Sequence, residues 1–143
     1  MANEAKQKLI AALNEDLALE LGGIVRAICQ ASTAGGLLGH ELRELLQKEV
    51  GTELKHAQFL ADKIAILGGT PTMSVAQLEV SSDVGRMIDD DIATEWQVAK
   101  RLQERAGQAE SCGDIGLKVR LEEMIAEGTD HANALQRLAG LTQ

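Results

Sequence analysis

A glutamate and a histidine three residues apart, Glu53 and His56, have the types and spacing of a metal-binding pair. Residues three apart lie on the same side of a helix, where a carboxylate oxygen and an imidazole nitrogen can hold one cation. Leu46, Val50 and Leu60 extend the same face as an apolar stripe. Because a buried ionised glutamate is costly unless it is paired or bound to a metal, the pair predicts a cation site that faces the protein core.

Three more polar residues stand on apolar stripes elsewhere in the chain: Glu20, Glu95 and His131. Each has apolar neighbours three or four residues away, so each is expected to point inward from a helix of its own. Taken singly, each is more simply explained as a glutamate at a helix edge or as a hydrogen-bonded core histidine. Four helices that all direct an acid or an imidazole toward one core are better explained by a shared cation.

The elements that must position these residues are four long helices. Apolar residues recur at steps of three and four over about residues 4–31, 37–67, 83–109 and 114–139. Gly68, Gly69 and Pro71 end the second helix, and the connection over 70–82 lacks periodicity. The other two connections are short turns, which make antiparallel neighbours. The pattern therefore predicts a single all-α domain over 1–143, an antiparallel four-helix bundle with a long crossover between the second and third helices.

An internal repeat supports this topology. The first helix contains Asp16-Leu-Ala-Leu-Glu20, and the third contains Asp91-Ile-Ala-Thr-Glu95. The second helix contains His56-Ala-Gln-Phe-Leu60, and the fourth contains His131-Ala-Asn-Ala-Leu135. Two short repeats in matching order predict two helical hairpins related by a pseudo-twofold axis.

The composition favours helices and excludes several classes of function. The 143 residues are 45% hydrophobic but include one Trp, one Phe and no Tyr, whereas sheets favour aromatic residues. A net charge of −8 argues against a nucleic-acid partner and favours the attraction of cations. No apolar run approaches the roughly 20 residues of a membrane span, and the first residues contain no apolar signal region. Cys29 and Cys112 lack the spacing of a zinc pair, which favours ordinary reduced thiols in a cytoplasmic protein.

Taken in order, these residues resemble the bacterioferritins, which place Glu, Glu-x-x-His, Glu and Glu-x-x-His on four successive helices. The matching segments are Glu20-Leu-Gly-Gly-Ile, Glu53-Leu-Lys-His56-Ala, Ile92-Ala-Thr-Glu95, Leu121-Glu-Glu-Met-Ile and His131-Ala. The resemblance implies a ferritin-like bundle with a di-iron site. It also implies that Glu20 and His56 hold one iron, that Glu95 and His131 hold the other, and that Glu53 bridges them.

The sequence departs from this pattern at one ligand, because Gly128 stands where the second bridging glutamate belongs. Glu127 is adjacent and is a candidate replacement, but one residue along a helix is a rotation of about 100°, so it needs a π-bulge or a local shift to reach the metals. Three carboxylates would then face two ferrous ions instead of four. We therefore expect two iron ions, with the Glu95–His131 position weaker than the position at Glu20, Glu53 and His56.

Other positions bear on cofactor, assembly and second-layer contacts. Leu54 stands where haem-binding bacterioferritins carry methionine, which argues against haem. Only twelve residues follow His131, too few for the short fifth helix of cage-forming relatives, so we expect a homo-oligomer of at least two chains but no large cage. Asp16 and Asp91 lie one turn before the site glutamates, and either accept hydrogen bonds from the outer histidine nitrogens or are surface charges.

The function that these residues favour is iron binding with ferroxidase-type chemistry, in which dioxygen or peroxide oxidises Fe(II) for iron handling or detoxification. Mixed oxygen and nitrogen ligands suit both oxidation states of iron. One alternative is another ferritin-like di-metal oxidoreductase, such as a manganese catalase-like or peroxide-consuming protein, with manganese or zinc in the site. The other is a non-catalytic bundle whose site has decayed, for which Gly128 is the best support.

Overall fold

Four helices account for nearly all of residues 2–140, the part of the chain that the computed structural model describes. They are α1 (Ala2–Thr33), α2 (Gly36–Ile66), α3 (Val84–Ser111) and α4 (Ile115–Gly140). No strand occurs within this described range. The predicted all-α four-helix bundle is thus confirmed, with helix ends a few residues from the predicted ones. None of the four helices is long and apolar enough to cross a membrane.

Capping residues set where the helices begin and end. Asp83 precedes α3 and its side chain accepts a hydrogen bond from the backbone N–H of Arg86 at 2.9 Å. Asp114 does the same for α4 by accepting from the N–H of Leu117 at 3.1 Å. At the end of α2, Gly68 adopts φ of +93°, a conformation that favours glycine. The crossover over 67–83 follows. One short turn joins α1 to α2, and another joins α3 to α4.

Two apolar clusters fill the two ends of the bundle. α1 packs mainly against α2, and α3 packs mainly against α4. One cluster includes Leu13, Leu60 and Leu121, and the other includes Leu42 and Leu135. Between them, at mid-length of all four helices, lies a layer of buried polar side chains. The fold therefore clamps this polar layer between two apolar cores.

The crossover lies along one stripe of α1. The side-chain amide of Asn14 donates to the carbonyl oxygen of Thr70 at 3.1 Å, and its oxygen accepts from the N–H of Thr72 at 2.9 Å. One turn further, the N–H of Ala76 donates to the carbonyl of Ala18 at 3.0 Å. Gly22 comes next on the same stripe, where a Cβ would lie 2.5 Å from the Ala76 carbonyl oxygen. The absence of a side chain at Gly22 thus allows the backbone of the crossover to contact α1 closely.

We expect Gly22→Ala to lower the free energy of unfolding by about 1–3 kcal/mol, because the new methyl group must displace the crossover backbone. Gly107→Ala is the matched control, since this exposed glycine in α3 has no atom within 4 Å of its would-be Cβ. That change should raise the free energy of unfolding by about 0.5–1 kcal/mol. Urea unfolding measures both, and equal stabilisation by the two alanines would contradict the packing at Gly22.

Candidate metal centre

The five predicted ligands line one small cavity in the polar layer. Glu20 comes from α1, Glu53 and His56 from α2, Glu95 from α3 and His131 from α4. The cavity volume is about 30 Å³. A water-sized group needs roughly 10–15 Å³. The cavity therefore has room for one or two ions or waters and excludes an organic substrate.

Two glutamate–histidine pairs face each other across the bundle with matching geometry. His56 Nδ1 lies 3.9 Å from Glu20 Oε1, and His131 Nδ1 lies 3.9 Å from Glu95 Oε1. This separation is too long for a hydrogen bond. It fits two donors on one ion, because atoms that are each about 2.1 Å from a metal can be up to about 4.2 Å apart. The pseudo-twofold repeat in the sequence thus becomes two equivalent pairs in space.

Glu127 contacts His56 from the opposite helix. The Nε2 atom of His56 lies 2.8 Å from Glu127 Oε2, and the Glu127 side chain is 51% exposed. A carboxylate only accepts, so the imidazole proton sits on Nε2 and the lone pair on Nδ1 faces Glu20. A second-layer carboxylate that sets the tautomer in this way is common in metal sites. Glu127 therefore lies on the outer nitrogen of a histidine, which corrects the expectation that it replaces the ligand missing at Gly128.

Gly128 leaves space that Glu95 uses. A Cβ built at Gly128 would lie 3.1 Å from Glu95 Oε2, which is tighter than ordinary van der Waals contact. Gly23 on α1 has a similar place beside Glu53, whose carboxylate lies 3.7 Å from the would-be Cβ. The two glycines let the carboxylates of Glu53 and Glu95 occupy the interior close to the helix backbones.

A buried carboxylate that the sequence reasoning missed, Glu49, lies beside the predicted ligands. It is 4% exposed. Its Oε1 atom is buried and has no hydrogen-bond partner. Donor atoms of Glu49, Glu95 and His131 all lie within 4.8 Å of one another. The signal was present in the sequence, since Glu49 is three residues after Leu46 and four before Glu53 on the same stripe.

Asp16 accepts hydrogen bonds from arginines on α3 and not from the histidines. Arg105 donates to its two oxygens at 2.6 and 3.1 Å, and Arg101 donates at 3.3 Å. The carboxylate is 97% buried, since 3% of the residue is exposed. The sequence prediction of an Asp16–histidine contact is therefore wrong. The alternative of a surface charge is wrong as well, because the arginines neutralise Asp16 inside the bundle.

Asp91 has the equivalent arrangement in the other half of the repeat. Gln30 donates to its Oδ1 atom at 2.9 Å, and Arg26 lies 3.2 Å from the same oxygen. Arg26 also donates to the hydroxyl of Thr94 at 2.7 Å. Like Asp16, Asp91 is buried and contacts no histidine, which corrects the prediction. In sequence, Arg26 and Gln30 stand where the third helix has Arg101 and Arg105, so the repeat extends to this outer layer.

Burial raises the carboxyl pKa values throughout the inner layer. It raises the pKa of Glu49 to about 9, that of Glu95 to about 8 and that of Glu53 to about 7, and the neighbouring carboxylates add to the effect. Burial raises the pKa of Glu20 well above its usual range, with Glu53 and Glu95 contributing. Arg26 lowers the pKa of Glu53 and of Glu95 only in part. The layer therefore holds more negative groups than its own cations can balance.

The donor set fits a divalent metal. Three carboxylates and two imidazoles line the cavity, and Glu49 lies beside Glu95 and His131. Glu49 and Glu53 each have one buried oxygen without a hydrogen-bond partner. Burial lowers the pKa of His131, which favours the neutral imidazole that metals bind. Oxygen and nitrogen donors in this mixture suit iron and other first-row metals.

Comparison with known proteins shows the family to which this chain belongs. A family model of the ferritin-like domain matches residues 10–143. The chain belongs to the ferritin-like family. A ferritin-like relative, the bacterioferritin of Mycobacterium leprae, is 27% identical over 125 residues, which cover 87% of this chain and 79% of that protein. A bacterial ferritin of Neisseria meningitidis serogroup B is 32% identical over 101 residues, which cover 68% of this chain and 64% of that relative.

Solved ferritin-like structures superpose closely on this bundle. The crystal structure of ferritin-like, diiron-carboxylate proteins from Bacillus anthracis str. Ames has a TM-score of 0.91 at 36% identity, and covers 94% of this chain and 97% of that chain. The Desulfovibrio desulfuricans bacterioferritin has a TM-score of 0.90 at 23% identity, and covers 98% of this chain and 82% of that chain. The second likeness shows a shared ferritin-like fold.

We expect the metal-free protein to lose thermal stability as the pH rises from 7 to 9. The folded-state pKa values of Glu49 and Glu95 lie above the ordinary range of the unfolded chain, so the folded state binds more protons in this window and loses them as pH increases. Each such carboxyl contributes up to about 1.36 kcal/mol per pH unit. The range from pH 7 to 9 lies above the one in which His131 titrates, because burial lowers the pKa of that histidine.

Calorimetric Tm values at pH 7, 8 and 9 after chelator treatment measure this dependence. Glu49→Gln should flatten the decline because it removes one of the titrating groups. Glu44→Gln, on the exposed side of α2, should follow the wild-type curve. A wild-type Tm that stays constant or rises between pH 7 and 9 would show that the buried carboxyls do not have raised pKa values.

Proposed function

We propose that this protein binds iron in the mid-bundle cavity and oxidises Fe(II), with dioxygen or peroxide as the electron acceptor, for iron handling or detoxification. One observation carries the proposal. Two glutamate–histidine pairs, each with an Nδ1 to Oε1 separation of 3.9 Å, lie beside buried carboxylates whose oxygens lack hydrogen-bond partners. The 36% identity to ferritin-like diiron-carboxylate proteins from Bacillus anthracis and the bacterioferritin relatives support iron as the metal.

Each predicted ligand has a role in this proposal. Glu20 and His56 hold one metal position, Glu95 and His131 hold the other, and Glu53 lies between them on α2. Iron, when bound, supplies the electrons that reduce the acceptor. The carboxylates stabilise the higher charge that iron acquires on oxidation, because hard Fe(III) prefers oxygen donors. Glu127 holds the His56 ring so that Nδ1 faces the cavity.

The cavity dimensions restrict the second reactant. A volume of about 30 Å³ beside the ligands admits dioxygen, peroxide or water but no larger molecule. Two apolar clusters close the layer above and below, which keeps bulk water from both ends of the bundle. A small oxidant that reaches bound Fe(II) is therefore favoured over a reaction with an organic substrate.

The residues of the site also bear on the alternative functions. A decayed site has no reason to retain several buried carboxylates, two of them with an unpartnered oxygen, because each costs stability without a metal. Manganese or zinc can use the same donors, so metal analysis of protein purified without chelator decides the native metal. Leu54 is 53% exposed on the outer side of α2, away from this cavity, and offers no sulfur for haem.

Location and assembly follow as further parts of the proposal. Cys29 and Cys112 are exposed free thiols, which suits the reducing cytoplasm. A groove between α1 and α2 is lined by apolar side chains, among them Ile28, which is 55% exposed. We expect a second copy of the chain to cover it, giving a homo-oligomer of at least two chains. Multi-angle light scattering measures the mass, and either a monomer or a large cage would contradict this expectation.

Replacing Glu53 tests the proposed oxidation chemistry. Glu53→Gln should slow aerobic Fe(II) oxidation by more than about tenfold, because the amide cannot carry the negative charge between the two positions. Glu122→Gln removes an exposed carboxylate of α4 and should leave the rate unchanged. Stopped-flow absorbance of the ferric product measures both, and wild-type protein no faster than buffer alone would refute ferroxidase activity.

A further inference from the structure

We propose that Glu49 supplies the metal-binding carboxylate that α4 lacks at Gly128, so that Glu49, Glu95 and His131 together hold the second metal position. The inference rests on the proposed iron-binding function and specifies its ligand set. The sequence predicts a weak second metal position, whereas this ligand set predicts a second position with three ligands.

The burial of Glu49 is the first support. Only 4% of the residue is exposed, and one of its oxygens is buried without a hydrogen-bond partner. Leaving a buried polar atom unpaired lowers stability, so such a group implies a partner that balances the cost. The neighbours of Glu49 include the carboxylates of Glu53 and Glu95, which repel it. A cation is the partner that would satisfy all three groups.

The pseudo-twofold repeat provides the second support. Matching Glu53 with Gly128 and His56 with His131 places Glu49 opposite Met124. Met124 is 5% exposed and belongs to an apolar cluster. This helical position is therefore a core position in both halves of the bundle. α2 thus carries an ionisable residue where α4 carries a hydrophobic one, and α4 carries glycine where α2 carries Glu53.

The distances give the third support. Donor atoms of Glu49, Glu95 and His131 lie within 4.8 Å of one another, and His131 Nδ1 is 3.9 Å from Glu95 Oε1. Donors about 2.0–2.2 Å from one ion are at most about 4.4 Å apart. The three donor groups are therefore spaced nearly as the ligands of one ion are.

The glycine at position 128 and the glutamate at position 49 therefore depend on each other. A glutamate at position 128 would crowd Glu95, because even its Cβ would lie 3.1 Å from Glu95 Oε2. With glycine there, Glu95 fills the space and Glu49 approaches from α2. Glu20, Glu49, Glu53 and Glu95 make four carboxylates, which balance the four positive charges of two divalent ions. α2 contributes three ligands at steps of four and three residues, and α4 contributes only His131.

Anaerobic Co(II) titration tests this assignment without depending on oxidation. Visible absorbance and calorimetry should give two ions per wild-type chain. Glu49→Gln should keep one ion at the wild-type affinity and weaken the other at least tenfold. Glu44→Gln, an exposed change on the same helix, should bind both ions as the wild type does. Circular dichroism checks that each variant is folded.

A second set of variants identifies which position is lost. Glu49→Asp keeps the charge but withdraws the carboxylate by one methylene, and should weaken the same ion. His131→Ala should also lose that ion, and combining it with Glu49→Gln should cost little more. Gly128→Glu in the Glu49→Gln background should restore binding of the second ion only in part, because the carboxylate added to α4 also displaces the Glu95 side chain.

Two contrary results have different meanings. Equal binding of two ions by the wild type and by Glu49→Gln would overturn the role of Glu49 and leave iron binding intact. Failure of the wild type to bind either Co(II) or Fe(II) would refute the proposed function and this ligand set together.

Discussion

The burial of several carboxyl groups beside one another at the centre of the bundle is the constraint on which the other features depend. Three glutamates and two histidines line a small cavity at mid-length of the four helices, and Glu49 lies beside two of them. Arg26 is the cation that moderates the pKa values of Glu53 and Glu95, and it is already engaged by Asp91 and Thr94. Burial therefore keeps these carboxyls partly protonated until a cation enters. The same feature that destabilises the empty layer makes it selective for positive charge.

The remainder of the fold compensates for this layer. Apolar clusters on both sides contribute the burial that holds the helices together. Buried ion pairs at Asp16 and Asp91 connect α1 to α3, which pack against each other less extensively than the two helices of each hairpin do. The crossover is fixed along α1 by Asn14 and by the close approach at Gly22. Each contact restrains a helix that carries a glutamate of the inner layer.

Sequence patterns predicted the helices and the convergence of Glu20, Glu53, His56, Glu95 and His131, because helical periodicity and ligand spacing are local properties. The roles of Asp16 and Asp91 were predicted wrongly, since their partners lie far away in sequence on the opposite helix. Glu49 lies on the same stripe as Glu53, but the pattern of the resembling family has no ligand there, so the sequence does not single it out. Glu127 is predicted from sequence as a replacement ligand, whereas its contact with His56 depends on how α2 and α4 pack.

The paired ion contacts between α1 and α3 carry a historical implication. Asp16 meets Arg101 and Arg105, and Asp91 meets the equivalent Arg26 and Gln30, so each helix offers the other the same contact. Reciprocal contacts of this kind characterise an isologous interface between two identical subunits. The bundle thus has the arrangement expected if one hairpin had paired with an identical copy before a crossover joined the two. Gln30 opposite Arg105, and Gly128 opposite Glu53, are positions at which the two halves differ, as a single chain allows.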